Sequence, residues 1–371
     1  MNLDLTAQTV KYFPVLKPFE WAALLNPKNK ECKFHDYIGN KRTKQAVLTL
    51  IGSAFGMNYD MGDRMICTRE MHENIALVSE ASGGKTDFWR RVRDTLELPH
   101  LEIDGSESGL TIDKLVERME TVLDDAGIPL VPVGHMNGED IYYPPPMLWF
   151  IDEVHNFAKT PSGRVIAQRL LKMVEGKDRT LITAKGRFDC RRIGLVIATN
   201  RWGELDAAFK TRFTKLRLDR HTRDDLVQIV QANNPKFPLD ICQRIADYTG
   251  LARKAITFAE WVRQAQSTHG ITLEAAVEDV ADQMGCVGKG IDRLGLDALR
   301  ALDNSGDGGL SQENLVTAIG CDVADWKEDV KPQLGPNIFH GPLVEVARRH
   351  VITAEGRTIL ADIERSLLAR A

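Results

Sequence analysis

Residues 75–86 decide the fold, and they read Ile75-Ala76-Leu77-Val78-Ser79-Glu80-Ala81-Ser82-Gly83-Gly84-Lys85-Thr86. The short apolar run predicts a buried strand, and the apolar residues after position 87 recur at helical spacing. A glycine-rich loop between a strand and a helix presents backbone N–H groups and the positive end of the helix to phosphate. The stretch therefore predicts a phosphate-binding loop, with an ordinary glycine-rich turn before a helix as the alternative.

The end of this loop carries the residues expected to bind nucleotide. Lys85 is expected to neutralise phosphate charge, and Thr86 to bind Mg²⁺. The other residues expected to contact ATP here are Ser82, Gly83, Gly84 and Asp87. Ser79 departs from the usual pattern, which has glycine at that position, so we expect the loop to close with altered affinity or rate.

A second apolar run, residues 147–151, ends in two carboxylates, Asp152 and Glu153. Such a run predicts a buried strand whose end places Asp152 to hold Mg²⁺ and Glu153 to orient or deprotonate the attacking water. A strand that simply ends in solvated acidic residues is the alternative. Because the pair follows a phosphate loop by some 65 residues, we interpret both as catalytic.

Two further residues extend the predicted catalytic set. Asn200 follows the apolar run 195–199, where its amide is placed to bond the γ-phosphate or the attacking water; a strand-ending turn residue is the alternative. Arg212 precedes the next strand, Phe213–Leu218, and is a candidate arginine finger for the site of an adjacent subunit. The alternative for Arg212 is ordinary surface charge.

The alternation of β-rich runs and helical patterns over 34–220 predicts an α/β domain with a parallel sheet. Residues 221–287 read as helices only, and 288–371 as a third domain that begins after a flexible joint at 285–290. Residues 1–33 read as an N-terminal extension without a clear period.

Composition limits the classes of function. The 371 residues are 43% hydrophobic and 27% charged, which suits two or three domains with buried cores. A net charge of -4 argues against non-specific coating of nucleic acid, so DNA contacts must come from local basic patches. The six cysteines form no Cys-x-x-Cys pair and fit reduced thiols. Without a leader pattern or a long apolar run, we expect a cytoplasmic protein with no membrane contact.

Taken in order, the phosphate loop, Asp152-Glu153, Asn200 and Arg212 resemble the AAA+ ATPases. The resemblance implies that the helical segment is the small lid domain, and that Arg253 in Gly250-Leu251-Ala252-Arg253 is the sensor-2 residue that reaches the γ-phosphate. Over most of residues 34–360 the chain is similar to the RuvB-type Holliday-junction branch-migration ATPases. Phe34–Asn40 resembles that family's opening motif, which makes Tyr37 and Ile38 candidates for adenine contact.

The same resemblance covers two hairpins and the C-terminal domain. Residues 180–190 read as a hairpin turning at Lys185-Gly186, which in the family engages a partner protein; DNA contact by Lys185 and Arg187 is the alternative. Residues 129–146 read as an inserted hairpin turning at Asn137-Gly138. Both hairpins are therefore candidate sites for a protein partner.

Residues 288–371 resemble a winged helix, with three short helices before a basic stretch. Arg348, Arg349 and His350, together with Arg357, are expected to approach DNA phosphates through the wing, and a winged helix that contacts only protein is the alternative. Residues 303–311 resemble part of a calcium loop, but position twelve is Asn314 rather than Glu, so we interpret them as a polar turn.

The resemblance implies an ATP-hydrolysing ring motor, expected to be a hexamer, that acts on branched or double-stranded DNA in recombination and repair. The altered phosphate loop and the insertion indicate a divergent relative, such as one encoded by a phage or mobile element. Two alternatives stay open. One is an ATP-switched helicase loader or regulator of transposition or packaging, and the other is a remodeller of protein complexes.

Overall fold

The computed structural model describes residues 34, 36–54, 57–60, 64–67, 71, 73–80, 83–96, 98–128, 130–136, 138–176, 179–335, 341–346 and 349–370. The predicted extension 1–33, Ser82, Asn137 and Arg348 lie outside these residues. Two compact units emerge among the described residues, one within 34–80 and 84–219 and the other comprising Gly83 and 220–370.

The first unit contains both helices and strands. Its helices are α1 Lys41–Ala54, α2 Lys85–Leu96, α3 Ile112–Asp125, α4 Pro161–Val174 and α5 Ala207–Lys210. Its strands are β1 Met57–Asp60, β2 Arg64–Cys67, β3 Ile75–Val78, β4 His100–Asp104, β5 Pro132–Met136, β6 Glu139–Tyr142, β7 Met147–Asp152, β8 Thr180–Ile182, β9 Arg187–Asp189, β10 Ile193–Thr199 and β11 Thr214–Arg217.

Five strands form the central sheet in the order β11-β3-β10-β7-β4, and every neighbouring pair is parallel. This confirms the predicted parallel-sheet α/β fold. The side chains of β7 alternate between two buried clusters, one on each face of the sheet. Both faces are therefore covered by packed elements. Leu148 and Phe150 belong to one buried cluster and Trp149 and Ile151 to the other. In the first of these clusters Phe150 stacks on Trp89 of α2, with ring centroids 5.2 Å apart.

The parallel arrangement positions the polar residues found by the sequence patterns. Asp152 ends β7, Thr199 ends β10 and Val78 ends β3, and these three strands are neighbours in the sheet. Their carboxyl ends meet at one edge, which is where ligands bind in open α/β sheets.

Both predicted hairpins are present. Strands β5 and β6 pair antiparallel, and β8 and β9 pair antiparallel around a turn in which Thr183 and Gly186 exchange backbone hydrogen bonds. The sequence patterns did not indicate that the hairpins join. Strands β6 and β9 pair in parallel, which gives one four-stranded sheet in the order β5-β6-β9-β8.

The second unit begins with helices only. These are α6 Arg223–Asn233, α7 Leu239–Thr249, α8 Ala252–His269 and α9 Leu273–Gln283. A flexible joint at 285–290 was expected next, and that expectation is wrong. Strands β12 Cys286–Gly288 and β13 Ile291–Asp292 form a hairpin there, with Cys286 and Val287 buried. The hairpin is also tied to α7, because Gly290 N donates to Asp247 O at 2.9 Å.

The rest of this unit contains helices and one more hairpin. Its helical segments are α10 Arg293–Asn304, α11 Gln312–Ile319, α12 Val323–Asp325, the π-helical turn Trp326–Val330, α13 Lys331–Leu334 and α14 Ala354–Arg370. Strands β14 Val344–Val346 and β15 His350–Ile352 pair antiparallel before α14. Helices followed by a hairpin follow the order expected of a winged helix, and that assignment stays a prediction.

Residues 303–311 span the end of α10 and a short 3-10 turn, Gly306–Gly308. Across the described residues, no group of three or more His, Cys, Asp or Glu side chains forms a metal cluster. A search of the same residues for a helix long and apolar enough to cross a membrane finds none.

Candidate nucleotide-binding site

The phosphate loop has the backbone expected of an anion cradle. Gly84 has a φ of 75°, a left-handed conformation that glycine adopts readily, and α2 begins at the next residue. Gly83 is buried, and Phe88 N donates to Gly84 O at 2.9 Å, so the first turn of α2 closes directly behind the loop. An α-helix start presents N–H groups that have no intrahelical acceptor, and this helix start lies where the strand-loop-helix pattern predicts phosphate.

Lys85 and Ser79 are in contact. Lys85 is only 6% exposed, and its Nζ donates to Ser79 Oγ at 3.2 Å and to Glu80 O at 3.4 Å. Ser79 Oγ in turn donates to Glu80 O at 2.8 Å. A buried ammonium group needs such partners, because its desolvation is otherwise costly. Serine at the position usually held by glycine thus supplies the lysine with a hydroxyl acceptor.

The centre of the site joins the phosphate loop to the acidic strand. Thr86 Oγ1 donates to Asp152 Oδ2 at 2.6 Å, and Asp152 Oδ1 accepts from Glu153 N at 2.9 Å. A hydroxyl and a carboxylate oxygen are hard ligands of the kind Mg²⁺ prefers, and Mg²⁺ is commonly held by one or two such groups together with substrate phosphates. Thr86 and Asp152 therefore fit the metal role predicted for them.

Glu153 has an unusual backbone for a residue with a side chain. Its φ of 49° and ψ of 40° lie in the left-handed region, immediately before the 3-10 turn Val154–Lys159. Burial raises the pKa of its carboxyl group, and the nearby positive charge of Lys85 acts in the opposite direction. Its Oε2 lies 3.3 Å from Nδ1 of the buried His155. Non-glycine residues on strained backbone are concentrated at functional sites.

Asn200 follows β10 at the same sheet edge. Its Oδ1 is buried and has no hydrogen-bond partner among the described residues. A buried amide oxygen without a partner is costly, and such a group in a native protein calls for an explanation. A hydrogen-bond donor from a bound ligand or water would satisfy it, which agrees with the role predicted for Asn200.

Arg212 lies between α5 and β11, and its guanidinium is engaged within the chain. Nη2 forms an ion pair with Glu175 and Nη1 donates to Ala208 O at 2.7 Å. The side chain is 26% exposed and the Glu175 side chain is 55% exposed. Arg212 is therefore accessible, but it must exchange Glu175 for another partner to act on a second subunit.

The Tyr37 side chain is not exposed for stacking against an adenine base. Its ring is 3% exposed and meets Phe88 edge-on, with centroids 5.0 Å apart and planes at 88°. The Tyr37 ring belongs to the core of the first unit, and adenine contact by this residue stays a prediction. Ile38 is half-buried and keeps the predicted role as a prediction.

Asp87 and Arg253 are both exposed. Asp87 lies in the first turn of α2 and accepts from Arg91 Nε at 2.9 Å, one helical turn later. Arg253 lies in the first turn of α8 in the second unit. The nucleotide contacts of both residues stay predictions.

The basic residues expected to contact DNA separate into different environments. Arg349 is exposed, and its Nη1 donates to Gly308 O at 3.2 Å. His350 is 6% exposed and packs edge-on against Trp326, so its predicted phosphate contact is wrong. Arg357 lies on α14 rather than on the hairpin, with Nε 3.1 Å from Asp303 and Nη2 3.1 Å from Asp307. The wing position predicted for Arg357 is therefore wrong.

The two basic residues of the second hairpin are also paired. Lys185 forms an ion pair with Glu120, and Arg187 Nε lies 3.8 Å from Glu139 Oε2. Since both charges already have acidic partners, DNA contact by this hairpin has little support in the structure.

Sequence patterns missed three residues that contact the candidate site. His155 and Thr199 link Glu153 to the end of β10, and Glu175 pairs with Arg212. His155 stands two positions after Glu153, so the only signal was its place in the acidic motif. Nothing local marked Glu175, which is 37 residues from Arg212.

Comparisons with known proteins agree with this geometry. Residues 75–219 match the model of the ATPase family associated with various cellular activities, AAA. A comparison with curated protein sequences finds no match.

Solved structures of Thermotoga maritima RuvB are similar to this chain. One, described as the Holliday junction branch migration motor, is 17% identical with a TM-score of 0.60, over 87% of this chain and 95% of that one. Two single-substitution variants, also 17% identical, give TM-scores of 0.61 and 0.62, over 88% of this chain and 96% and 97% of theirs. At this identity the likeness establishes the fold.

The AAA match covers the strands, the phosphate loop and the acidic pair that build the candidate site. The structural likeness extends over both compact units. Residues 75–219 therefore match the AAA family model, and the chain has the fold of the RuvB structures, with which it shares 17% sequence identity.

Proposed function

We propose that this chain binds ATP with Mg²⁺ at the edge of the central sheet and hydrolyses it. The observation that carries the proposal is the 2.6 Å hydrogen bond from Thr86 Oγ1 to Asp152 Oδ2, beside the buried Lys85. It brings together two groups that suit Mg²⁺ and one cation that suits phosphate. The AAA match over the same residues supports the proposal.

Each side chain has a distinct task in this chemistry. Lys85 would exchange its contacts with Ser79 and Glu80 for phosphate oxygens, and Thr86 and Asp152 would hold Mg²⁺, which neutralises charge developing on the phosphates. Glu153 would accept a hydrogen bond from the attacking water and orient it. The unpartnered amide oxygen of Asn200 would accept a second hydrogen bond from that water.

We further propose that the active form is a homo-oligomeric ring, a hexamer, in which Arg212 completes the site of the adjacent subunit. The position of Arg212 after the short helix α5, and its partial exposure, support this role. Assembly would replace Glu175 by the γ-phosphate as the partner of the guanidinium. Positive charge at that point stabilises the charge that develops on the transferred phosphoryl group.

DNA is the proposed substrate of the motor. The RuvB fold supports this, since one of the similar structures is that of a Holliday junction branch migration motor. The exposed Arg349 is the described residue that supports a phosphate contact in the second unit. A chain of net charge -4 must bind through such local contacts, so we expect weak, strongly salt-dependent affinity.

A protein partner is the second candidate, and the four-stranded sheet β5-β6-β9-β8 favours it. Ile182 on the edge strand β8 is 39% exposed, and Tyr143, just after β6, is 37% exposed. Val131, just before β5, is 59% exposed. Apolar side chains on a small sheet support a contact with another protein, as in a remodeller of protein complexes.

Hydrolysis assays on the purified chain test the proposal. The wild-type chain is expected to release phosphate from Mg-ATP, faster with branched DNA, and both Lys85→Ala and Glu153→Gln are expected to abolish that release. A strand-displacement or branch-migration assay separates a motor from a switch, because a switch binds DNA without moving it. Full hydrolysis by a monomer would refute the ring, and absence of DNA binding at low salt would favour the protein partner.

A further inference from the structure

His155 is a buried connection between the two strands that carry the proposed catalytic residues. Its side chain is 4% exposed, and Nδ1 lies 3.0 Å from Thr199 Oγ1 and 3.3 Å from Glu153 Oε2. Glu153 follows β7, whereas Thr199 is the last residue of β10. One ring nitrogen therefore contacts both strand ends.

The Thr199 end of this connection is fixed on three sides. Thr199 is fully buried, and its Oγ1 accepts from Arg201 N at 3.0 Å. Its backbone carbonyl accepts from Ser79 N at 3.4 Å, which ties β10 to the start of the phosphate loop. Asn200 stands between Thr199 and Arg201. The hydrogen bond from Arg201 N to the Thr199 hydroxyl therefore restrains the backbone around Asn200.

The Glu153 end is the one that needs support. Its left-handed backbone is sparsely populated by residues with side chains, and it persists only where the surroundings fix it. The side chain is half-buried, with 35% of its surface exposed, so packing alone leaves the carboxylate partly open to solvent. The 3.3 Å approach of His155 Nδ1 to Oε2 is the contact that can restrict the carboxylate to one orientation.

The chemistry of the two acceptors determines whether Nδ1 must carry a proton. An ionised carboxylate only accepts hydrogen bonds, so a contact with Glu153 requires a proton on Nδ1. Burial lowers the pKa of His155, which favours the neutral ring with a single N–H. An N–H at Nδ1 lies within reach of both acceptors, 3.0 Å from Thr199 Oγ1 and 3.3 Å from Glu153 Oε2, so a shift of either strand end would change which acceptor it favours.

We infer that His155 is a positioning residue for ATP hydrolysis, which aims the Glu153 carboxylate and links its orientation to the strand end that carries Asn200. This inference rests on the proposed hydrolysis of ATP. It extends that proposal, since it names a residue that acts through Glu153 and touches no substrate. It also predicts that the orientation of the Glu153 carboxylate changes when the end of β10 that carries Asn200 moves.

Three substitutions separate positioning from packing. The side-chain amide of asparagine places an N–H at the same bond distance from Cβ as Nδ1, whereas glutamine places one at the distance of Nε2. His155→Leu keeps apolar volume but no donor. We expect His155→Leu and His155→Gln to lower kcat about tenfold or more, and His155→Asn to restore most of it.

Two further measurements show whether the loss is specific. The Kd for Mg-ATP is expected to stay within about twofold in all three variants, because His155 does not contact the nucleotide. The Tm of each variant, read from thermal unfolding, identifies a folding defect. If His155→Leu does not fold, the comparison of His155→Asn with His155→Gln decides, and equal rates overturn the inference.

Failure of this inference is distinguishable from failure of the proposed function. A wild-type chain without ATPase activity overturns both, since there is then no reaction to position. An active wild-type chain with His155→Leu at the same kcat overturns the role of His155 alone. So does a joint loss of kcat and Mg-ATP affinity that His155→Asn does not repair.

Discussion

Charged side chains are held in opposite ways in the two compact units. At the sheet edge of the first unit Lys85 is buried, and Asp152 bonds Thr86 directly. In the second unit Arg349 and Arg357 are exposed, and Arg357 is balanced by two aspartates. Buried charges keep their full electrostatic effect, whereas exposed pairs are screened by water and salt.

The difference teaches where sequence patterns are informative. A motif that builds a buried site fixes the backbone around each side chain, so residue type and order predict chemistry. A basic stretch on a surface says nothing about which acidic residues fold next to it. Substitutions in the first unit should therefore have large effects on hydrolysis, and substitutions in the second unit small effects on binding.

The largest effect is expected from Arg212→Ala. Loss of the proposed arginine finger should lower hydrolysis about a thousandfold while nucleotide binding remains. Mixing Arg212→Ala subunits with Glu153→Gln subunits should restore part of the activity, because some interfaces then combine an intact Glu153 with an intact Arg212. The phosphate-release rate of the mixture is the measurement.

The matched control is Arg217→Ala. Arg217 lies five residues further along, is 73% exposed and pairs loosely with Asp219 at 3.7 Å. Its substitution should leave the rate nearly unchanged. If the mixture of the two inactive variants stays inactive, a shared site between subunits is excluded.

Thr86→Val should have the next largest effect. Removing the hydroxyl that bonds Asp152 takes away a proposed Mg²⁺ ligand and should lower hydrolysis at saturating Mg-ATP about a hundredfold. Thr95→Val is the control in the same helix, because the Thr95 hydroxyl donates to Arg91 O instead. Rates within a factor of about two for both variants would contradict the metal role of Thr86.

Arg349→Gln and Arg357→Gln test the surface of the second unit. Arg349→Gln should weaken DNA binding several-fold and lower the slope of log affinity against log salt by about one. Arg357→Gln should change neither, because Asp303 and Asp307 already neutralise that guanidinium. Fluorescence anisotropy with branched DNA over a salt series is the measurement.

An equal loss in both variants would show that the ion pairs of Arg357 open on DNA. The double variant Asp303→Asn with Asp307→Asn sharpens the comparison. It should strengthen binding, since it frees the Arg357 charge without adding a new one.

The smallest effect is expected from His350, the buried member of the basic stretch. Burial lowers its pKa below the ordinary value of 6.5, and the contact with the Leu310 backbone acts in the opposite direction. The unfolded chain therefore takes up this proton first as the pH falls. The neutral, buried His350 ring therefore makes its full contribution to the free energy of unfolding above pH 6.5. That contribution is lost as the pH falls below 6.5.

Thermal unfolding at about pH 7.5 and about pH 5.5 measures this. From the higher pH to the lower pH, the wild-type Tm should fall further than the Tm of His350→Phe. His135→Phe is the control, because the His135 side chain is 63% exposed. A His350→Phe variant with the same fall in Tm as the wild type would contradict the prediction.

Much of the fold and of the site could be predicted from the sequence. The central strands β3, β7 and β10 were predicted, because each is a short apolar run followed by polar residues. Lys85, Thr86 and Asp152 were predicted to act together, and the structure brings them to one edge. The chemistry proposed for these three residues follows from local patterns of this kind.

The missing parts depend on pairs that are distant in sequence. The parallel pairing of β6 with β9, the contact of His155 with Thr199, and the ion pairs of Arg212 and Arg357 each join separate segments. The core packing of the Tyr37 ring was missed for a related reason. An aromatic side chain near a nucleotide site can pack in the core, and only the position of Phe88 reveals that it does.

The most direct test of the central claim is calorimetric titration of the folded chain with Mg-ATP. We predict that the wild type and Glu153→Gln bind with similar affinity, that Lys85→Ala binds at least about a hundredfold more weakly, and that only the wild type hydrolyses the nucleotide. A folded wild-type chain that shows no heat of binding, or a Lys85→Ala variant that binds as tightly as the wild type, would contradict the claim.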